Sequence, residues 1–198
     1  LFGTRAAWMA AVLAATNPFF TQYAQEGRMY ALLGLLGLIA AAAYARAFAW
    51  GSRGWAIAYA VALAAMLYTH NWALFFGAAG GLVWLYLLWR ADERRDLLVL
   101  GAIAFGGALL LYLPWLPTVL YQVAHTGAPW SEPPTFLSLL STPARMLGDF
   151  AVVALLLVGP AGLATLWRRN SPAFWLLSIA LITVVLAWLS SQVSPAAS

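Results

Sequence analysis

Two short stretches of this sequence hold most of the groups able to do chemistry. The first is Asn17-Pro-Phe-Phe-Thr-Gln-Tyr-Ala-Gln-Glu-Gly-Arg-Met-Tyr30, which sets Glu26, Arg28 and Tyr30 at alternate positions. The second is Tyr68-Thr-His-Asn-Trp72, centred on His70. Arginine is a permanent cation with a planar fork of donors, a good match for phosphate. In extended chain Glu26 and Arg28 share a side; on a helix they diverge by roughly 200°. The plainer alternative is an acid at a helix start beside an Arg that snorkels to water. His70 could carry a proton, ligate a metal or simply close a turn. No second His lies nearby at a metal spacing, since His125 is far along the chain. A divalent metal would therefore draw on carboxylates such as Glu26, and its identity stays unknown. His125, Glu132, Arg145 and Asp149 read as solvated, with Arg145 and Asp149 spaced for a modest helix pair.

The elements that position these groups follow from composition. Of 198 residues, 64% are hydrophobic and 8% charged. A soluble domain carries about 25% charged residues, so lipid must replace water around much of this chain. Cysteine is absent, which excludes disulfides and thiolate metal sites. No basic run is interleaved with aromatics, so no nucleic-acid partner is expected. A bilayer core takes about 20 apolar residues per helix. The sequence predicts an all-α polytopic membrane helix bundle of about seven transmembrane helices. The predicted spans are 6–20, 29–48, 55–69, 72–89, 97–113, 147–167 and 173–189. A tight polar turn at His70–Asn71 separates the third and fourth. The chain starts without Met and runs straight into an apolar helix, so a fragment is expected.

Arginine placement orients the bundle. Alternate loops give one side Arg5, Arg46, Arg53, Arg90, Arg94, Arg95, Arg168 and Arg169, and the other only Arg28 and Arg145. Positive charge marks the cytoplasmic side. Trp50, Trp55, Trp89, Trp167 and Trp175 then fall at the inner boundary, and Trp72, Trp115, Trp130 and Trp188 at the outer one, as an aromatic belt. Two segments face outward: the polar stretch Asn17–Arg28, and a long extracytoplasmic loop over 114–145 that is rich in proline. Loops of that length tend to be functional or to carry interfacial helices, here Phe136–Leu140 and Met146–Phe150. Gly34, Gly37, Gly77, Gly80, Gly81, Gly106 and Gly107 lie inside helices and are expected to permit close packing.

The order Pro-Phe-Phe-Thr-Gln-Tyr-Ala-Gln-Glu-Gly-Arg-Met-Tyr-Ala-Leu, followed two spans later by Leu-Tyr-Thr-His-Asn-Trp, resembles membrane glycosyltransferases of the C-type fold. More closely, it resembles the bacterial branch related to protein O-mannosyltransferases and lipid A aminoarabinose transferases. The opening Leu-Phe-Gly-Thr-Arg-Ala-Ala and the later Leu-Pro-Trp-Leu-Pro fit the same pattern. The resemblance implies sugar transfer from a polyprenyl-phosphate donor to an acceptor protein, lipid or glycan on the outer face of the inner membrane. It also implies an acidic general base in an external loop before Leu1. It maps Glu26, Arg28, Tyr30 and His70 to positions lining an outward cavity, with Glu26 and His70 catalytic and Arg28 and Tyr30 binding substrate. Two rivals stand beside this expectation. A transporter or lipid flippase would place ionisable groups near mid-bilayer, where the predicted spans have almost none. A non-catalytic membrane subunit would need no acidic loop upstream.

Overall fold

The computed structural model describes residues 3–25, 29–125 and 134–193. These residues are helical with short connections, and no strand occurs among them. Alanine and leucine favour helices, and a helix satisfies its own backbone hydrogen bonds, which lipid cannot do. Among the described residues, four helical segments are long and apolar enough to cross a membrane: Tyr30–Trp50, Ala73–Arg90, Arg95–Gln122 and Pro172–Gln192. Large apolar side chains lie open on their outer faces, with Leu38 72% and Leu110 71% exposed. Such faces suit a bilayer and would aggregate in water.

The chain forms two compact units. Unit 1 holds 1–31 and 134–174. Its helices are α1 (Gly3–Thr16), α2 (Pro18–Gln25), α9 (Phe136–Leu147) and α10 (Asp149–Arg168), numbered in chain order. Asn17 separates α1 from α2. Its side-chain oxygen accepts from the backbone N–H of Phe19 at 2.9 Å and of Phe20 at 3.2 Å. Pro18 then occupies the first helical position, where a missing N–H costs nothing. The Asn17 amide also donates to the Met146 carbonyl at 2.8 Å, fastening α2 to α9. Gly148 adopts φ +86° between α9 and α10, so Arg145 and Asp149 fall on different helices.

Unit 2 holds 32–133 and 175–198. Its helices are α3 (Tyr30–Trp50, from Leu32 onward), α4 (Arg53–Thr69), α5 (Ala73–Arg90), α6 (Arg95–Gly101), α7 (Gly107–Tyr112), α8 (Leu116–His125) and α11 (Pro172–Val193, from Trp175 onward). A π turn over Ala102–Gly106 joins α6 to α7, and a 3-10 turn over Leu113–Trp115 joins α7 to α8. Arg95–Gln122 is thus one continuous helical run. Gly51, at φ +64°, reverses the chain between α3 and α4, a conformation that favours glycine. Tyr44 then meets Tyr59, and the Arg46 guanidinium lies 4.6 Å from the Trp55 ring centre. The approach of Gly37 to the end of the Met66 side chain carries this antiparallel register further.

Close backbone approach builds the core of unit 2. The Tyr44 hydroxyl donates to the Gly80 carbonyl at 3.0 Å. A Cβ at Gly80 would stand 2.6 Å from the Tyr59 hydroxyl, and one at Gly107 3.1 Å from the Ala60 methyl. Gly34, Gly81 and Gly106 have nothing within reach of an added Cβ, so the packing role expected of them is not seen. Gly101, unnoticed in the sequence, is a tight seat: the Trp84 indole lies against it and donates to the Leu97 carbonyl at 2.9 Å. Trp175 is 6% exposed, so it packs in the core of unit 2 rather than anchoring at a headgroup boundary.

The proline-rich stretch departs furthest from expectation. Leu113–His125 is helical, where a loop is predicted, and α9 takes in the expected helical piece Phe136–Leu140, whereas the piece expected over Met146–Phe150 is divided at Gly148. Pro114 and Pro117 sit in first-turn positions, where proline needs no N–H partner. Thr135 caps the second helix by accepting from the Ser138 N–H at 3.2 Å. Glu132 and Trp130 lie outside the described residues.

Candidate functional site

His70 stands where α4 stops. Its backbone turns extended, at φ −159° and ψ 130°, while its N–H still bonds the Met66 carbonyl at 2.8 Å. Its own carbonyl accepts from the Ala73 N–H at 3.0 Å, so the residue closes one helix and opens the next. The tight reversal expected at His70–Asn71 is therefore present.

The ring of His70 takes part in the same turn. Its Nδ1 lies 3.0 Å from the Trp72 backbone nitrogen, which donates to it. An Nδ1 that accepts carries no proton, so the neutral ring holds its proton on Nε2. In this arrangement His70 presents an N–H donor. Ligating a metal or taking a proton through Nε2 requires the other tautomer, which would turn Nδ1–H against the Trp72 N–H. His125 has the opposite arrangement. Its Nδ1 lies 2.9 Å from the Tyr121 carbonyl, which can only accept, so Nδ1 carries the proton. The His125 ring stacks on Tyr121 at 4.1 Å between ring centres.

Asn71 reaches a different element. Its Nδ2 donates to Oε1 of Gln122 on α8 at 3.2 Å, a side-chain bond across 51 positions of sequence. Next to it, the Tyr68 hydroxyl donates to the Leu111 carbonyl at 3.0 Å. Tyr68 also packs edge-on to Tyr112, 5.4 Å between ring centres, and against Trp115 at 5.9 Å. Val119, buried between Trp115 and Gln122 on the same helical face, holds α8 down. The Tyr112 hydroxyl is buried without a hydrogen-bond partner among the described residues.

The other expected site residues fall elsewhere or outside view. Tyr30 belongs to unit 1, half-buried, its ring 5.6 Å from that of Tyr23 and nearly perpendicular to it. Tyr23 in turn packs on Phe19 at 4.6 Å, so Tyr30 caps an aromatic row along α2. Glu26 and Arg28 lie outside the described residues. Among the described residues no three His, Asp or Glu side chains group to hold a metal. Gln122 and Tyr121 escaped the sequence reading, and Asn71 was read only as part of the turn. The signal for Asn71 was its place in the Thr-His-Asn turn, but nothing in one sequence links it to Gln122.

Family models, curated proteins and solved structures were all compared with this chain. None matches.

Proposed function

We propose that this chain serves a membrane glycosyltransferase that moves a sugar from a polyprenyl-phosphate donor to an acceptor protein, lipid or glycan outside the cell membrane. The apolar helices form seven spans in this reading, and the Arg-rich ends face the cytoplasm. The observation that carries it is the placement of polar groups at helix ends on an apolar scaffold. Positions 54–89 and 97–131 contain no Asp, Glu, Lys or Arg, while His70, Asn71 and Gln122 gather at one end of unit 2. A lipid-linked substrate needs this layout, with its tail in the bilayer and its reactive head at the rim. The resemblance of the Glu26–Arg28 and Tyr68–Trp72 stretches to C-type glycosyltransferases supports the same conclusion.

The chemistry is an inverting displacement. A carboxylate takes the proton of the acceptor hydroxyl, whose oxygen attacks the anomeric carbon as the bond to the polyprenyl phosphate breaks. Arg28 stabilises the charge that develops on the leaving phosphate, Glu26 orients Arg28 or helps hold a divalent metal, and Tyr30 lines the cavity. His70 gives a hydrogen bond from Nε2 to donor or acceptor. Removing one such preorganised donor typically costs about 10²–10³ in rate. The test is transfer from a polyprenyl-phosphate sugar by the complete protein carrying Arg28→Ala or Arg28→Lys. Turnover falls about 100-fold or more in Arg28→Ala; unchanged turnover in a folded protein removes Arg28 from the mechanism.

One observation favours a transporter or flippase instead. The π turn over Ala102–Gly106 interrupts a membrane-length run beside an apolar groove of about 440 Å³ lined by Ile57, Ala60, Val61, Ile103, Gly106 and Gly107. Interrupted helices build transporter sites, but those sites also gather polar or charged groups, and this groove has none. Lipid flux in proteoliposomes without sugar transfer would select this second reading.

A further inference from the structure

Among the described residues, the α4–α5 turn and the α7–α8 stretch that pairs with it have polar and aromatic groups but no formal charge. The contributors are Tyr68, His70, Asn71, Trp72, Trp115 and Gln122, within stretches that lack any Asp, Glu, Lys or Arg. A phosphate would call for a fixed cation there. A sugar ring calls for what is present. Its C–H faces carry slight positive charge and pack on the negative faces of aromatic rings. Its hydroxyls both donate and accept, as do primary amides, and a neutral His adds an N–H.

The arrangement is also held in place. Trp115 is 38% exposed and Tyr68 47%, and their rings lie 5.9 Å apart. Tyr68 is pinned through its hydroxyl to the Leu111 carbonyl. The Asn71–Gln122 bond fixes both amide planes relative to that shelf, and His70 is fixed by its bond from Trp72.

We propose that this uncharged aromatic and amide shelf reads the sugar ring of the donor, and that Asn71 and Gln122 are its specificity-determining pair. The proposal rests on the sugar-transfer reading above and adds which residues of unit 2 meet the sugar. A site built on directed hydrogen bonds rejects a misplaced hydroxyl strongly, because a polar group is then left unpaired.

The experiment uses the complete protein in proteoliposomes. Donors share one polyprenyl phosphate and carry mannose, glucose, galactose or 4-amino-4-deoxyarabinose, and the sugar-free polyprenyl phosphate serves as inhibitor. Gln122→Leu removes the acceptor for Asn71, whereas Gln122→Glu keeps it. The expected result for Gln122→Leu is a donor KM raised about tenfold and a smaller preference between sugars. Inhibition by the sugar-free lipid stays as in the wild type, and Gln122→Glu, which keeps the acceptor for Asn71 but loses the amide donor, loses part of the preference. Unchanged KM and preference in folded Gln122→Leu overturn the proposal and leave sugar transfer standing. So does a parallel loss of affinity for the sugar-free lipid, which would assign the shelf to the phosphate. A wild-type protein that transfers none of the four sugars removes the sugar-transfer reading and this proposal with it. Trp115→Ala gives a second line: it raises the same KM without altering inhibition by the lipid, and inhibition weakened in step with KM counts against the shelf.

Discussion

The tautomer of His70 is set by the Trp72 backbone N–H, and that separates two roles a single substitution would usually mix. An Asn at position 70 can accept the same N–H through its side-chain oxygen, as in an Asx turn, while losing the imidazole donor. His70→Asn is therefore expected to fold and insert like the wild type but to lose transfer by about 100-fold, as read by initial rates. His70→Ala loses the turn contact as well and should also lower thermal stability. Equal activity in His70→Asn and wild type would reduce His70 to a turn residue. At Gly80 the expectation concerns stability alone. An added methyl meets the Tyr59 hydroxyl at 2.6 Å, and Tyr59 is fully enclosed by its neighbours. Gly80→Ala should destabilise the detergent-solubilised protein by about 1–3 kcal/mol, measured by thermal unfolding. Gly81→Ala, in open space one position on, should be nearly neutral.

Between residues and molecule, the π turn sets how the two halves of Arg95–Gln122 face their neighbours. Such a turn holds one residue more than the α-helix needs. Deleting Ile103 should restore a regular helix and leave both halves in register, so Gln122 still meets Asn71. Inserting one Ala at the same place rotates α7 and α8 by about 100° and separates them. A short thiol cross-linker between Asn71→Cys and Gln122→Cys reads the difference: linked in the deletion, unlinked in the insertion. Linking in both would show that the π turn does not set this register. Element by element, the apolar runs were legible because about 20 uninterrupted apolar residues have few other solutions. The helices after Pro114 were not, because proline signals a break in the interior of a helix and a start in its first turn. The sequence alone does not say which applies. Asn17-Pro18 shows the same ambiguity: it lies inside the predicted span 6–20 and is found as the break after α1 and the cap of α2.

For the whole molecule, charge and hydropathy supplied the membrane character, while the pairing of distant residues needed coordinates. His70 was visible as a polar interruption between two apolar runs. Its partnership with Asn71, Gln122 and α8 was hidden, since one sequence carries no record of which helix lies beside which. Trp175 shows the converse: its place beside a predicted boundary suggested an anchor, and tertiary packing buries it instead. The account as a whole requires the α4–α5 turn to face away from the cytoplasm. These 198 residues contain no cysteine, so single introduced thiols report their own positions in a protein made otherwise cysteine-free. The decisive measurement is labelling of intact cells with a membrane-impermeant maleimide, comparing Trp72→Cys, 62% exposed beside His70, with Glu93→Cys among the arginines of the α5–α6 connection. Trp72→Cys should label from outside and Glu93→Cys only after permeabilisation. The reverse pattern would put His70 in the cytosol and end the case for sugar transfer at the outer face.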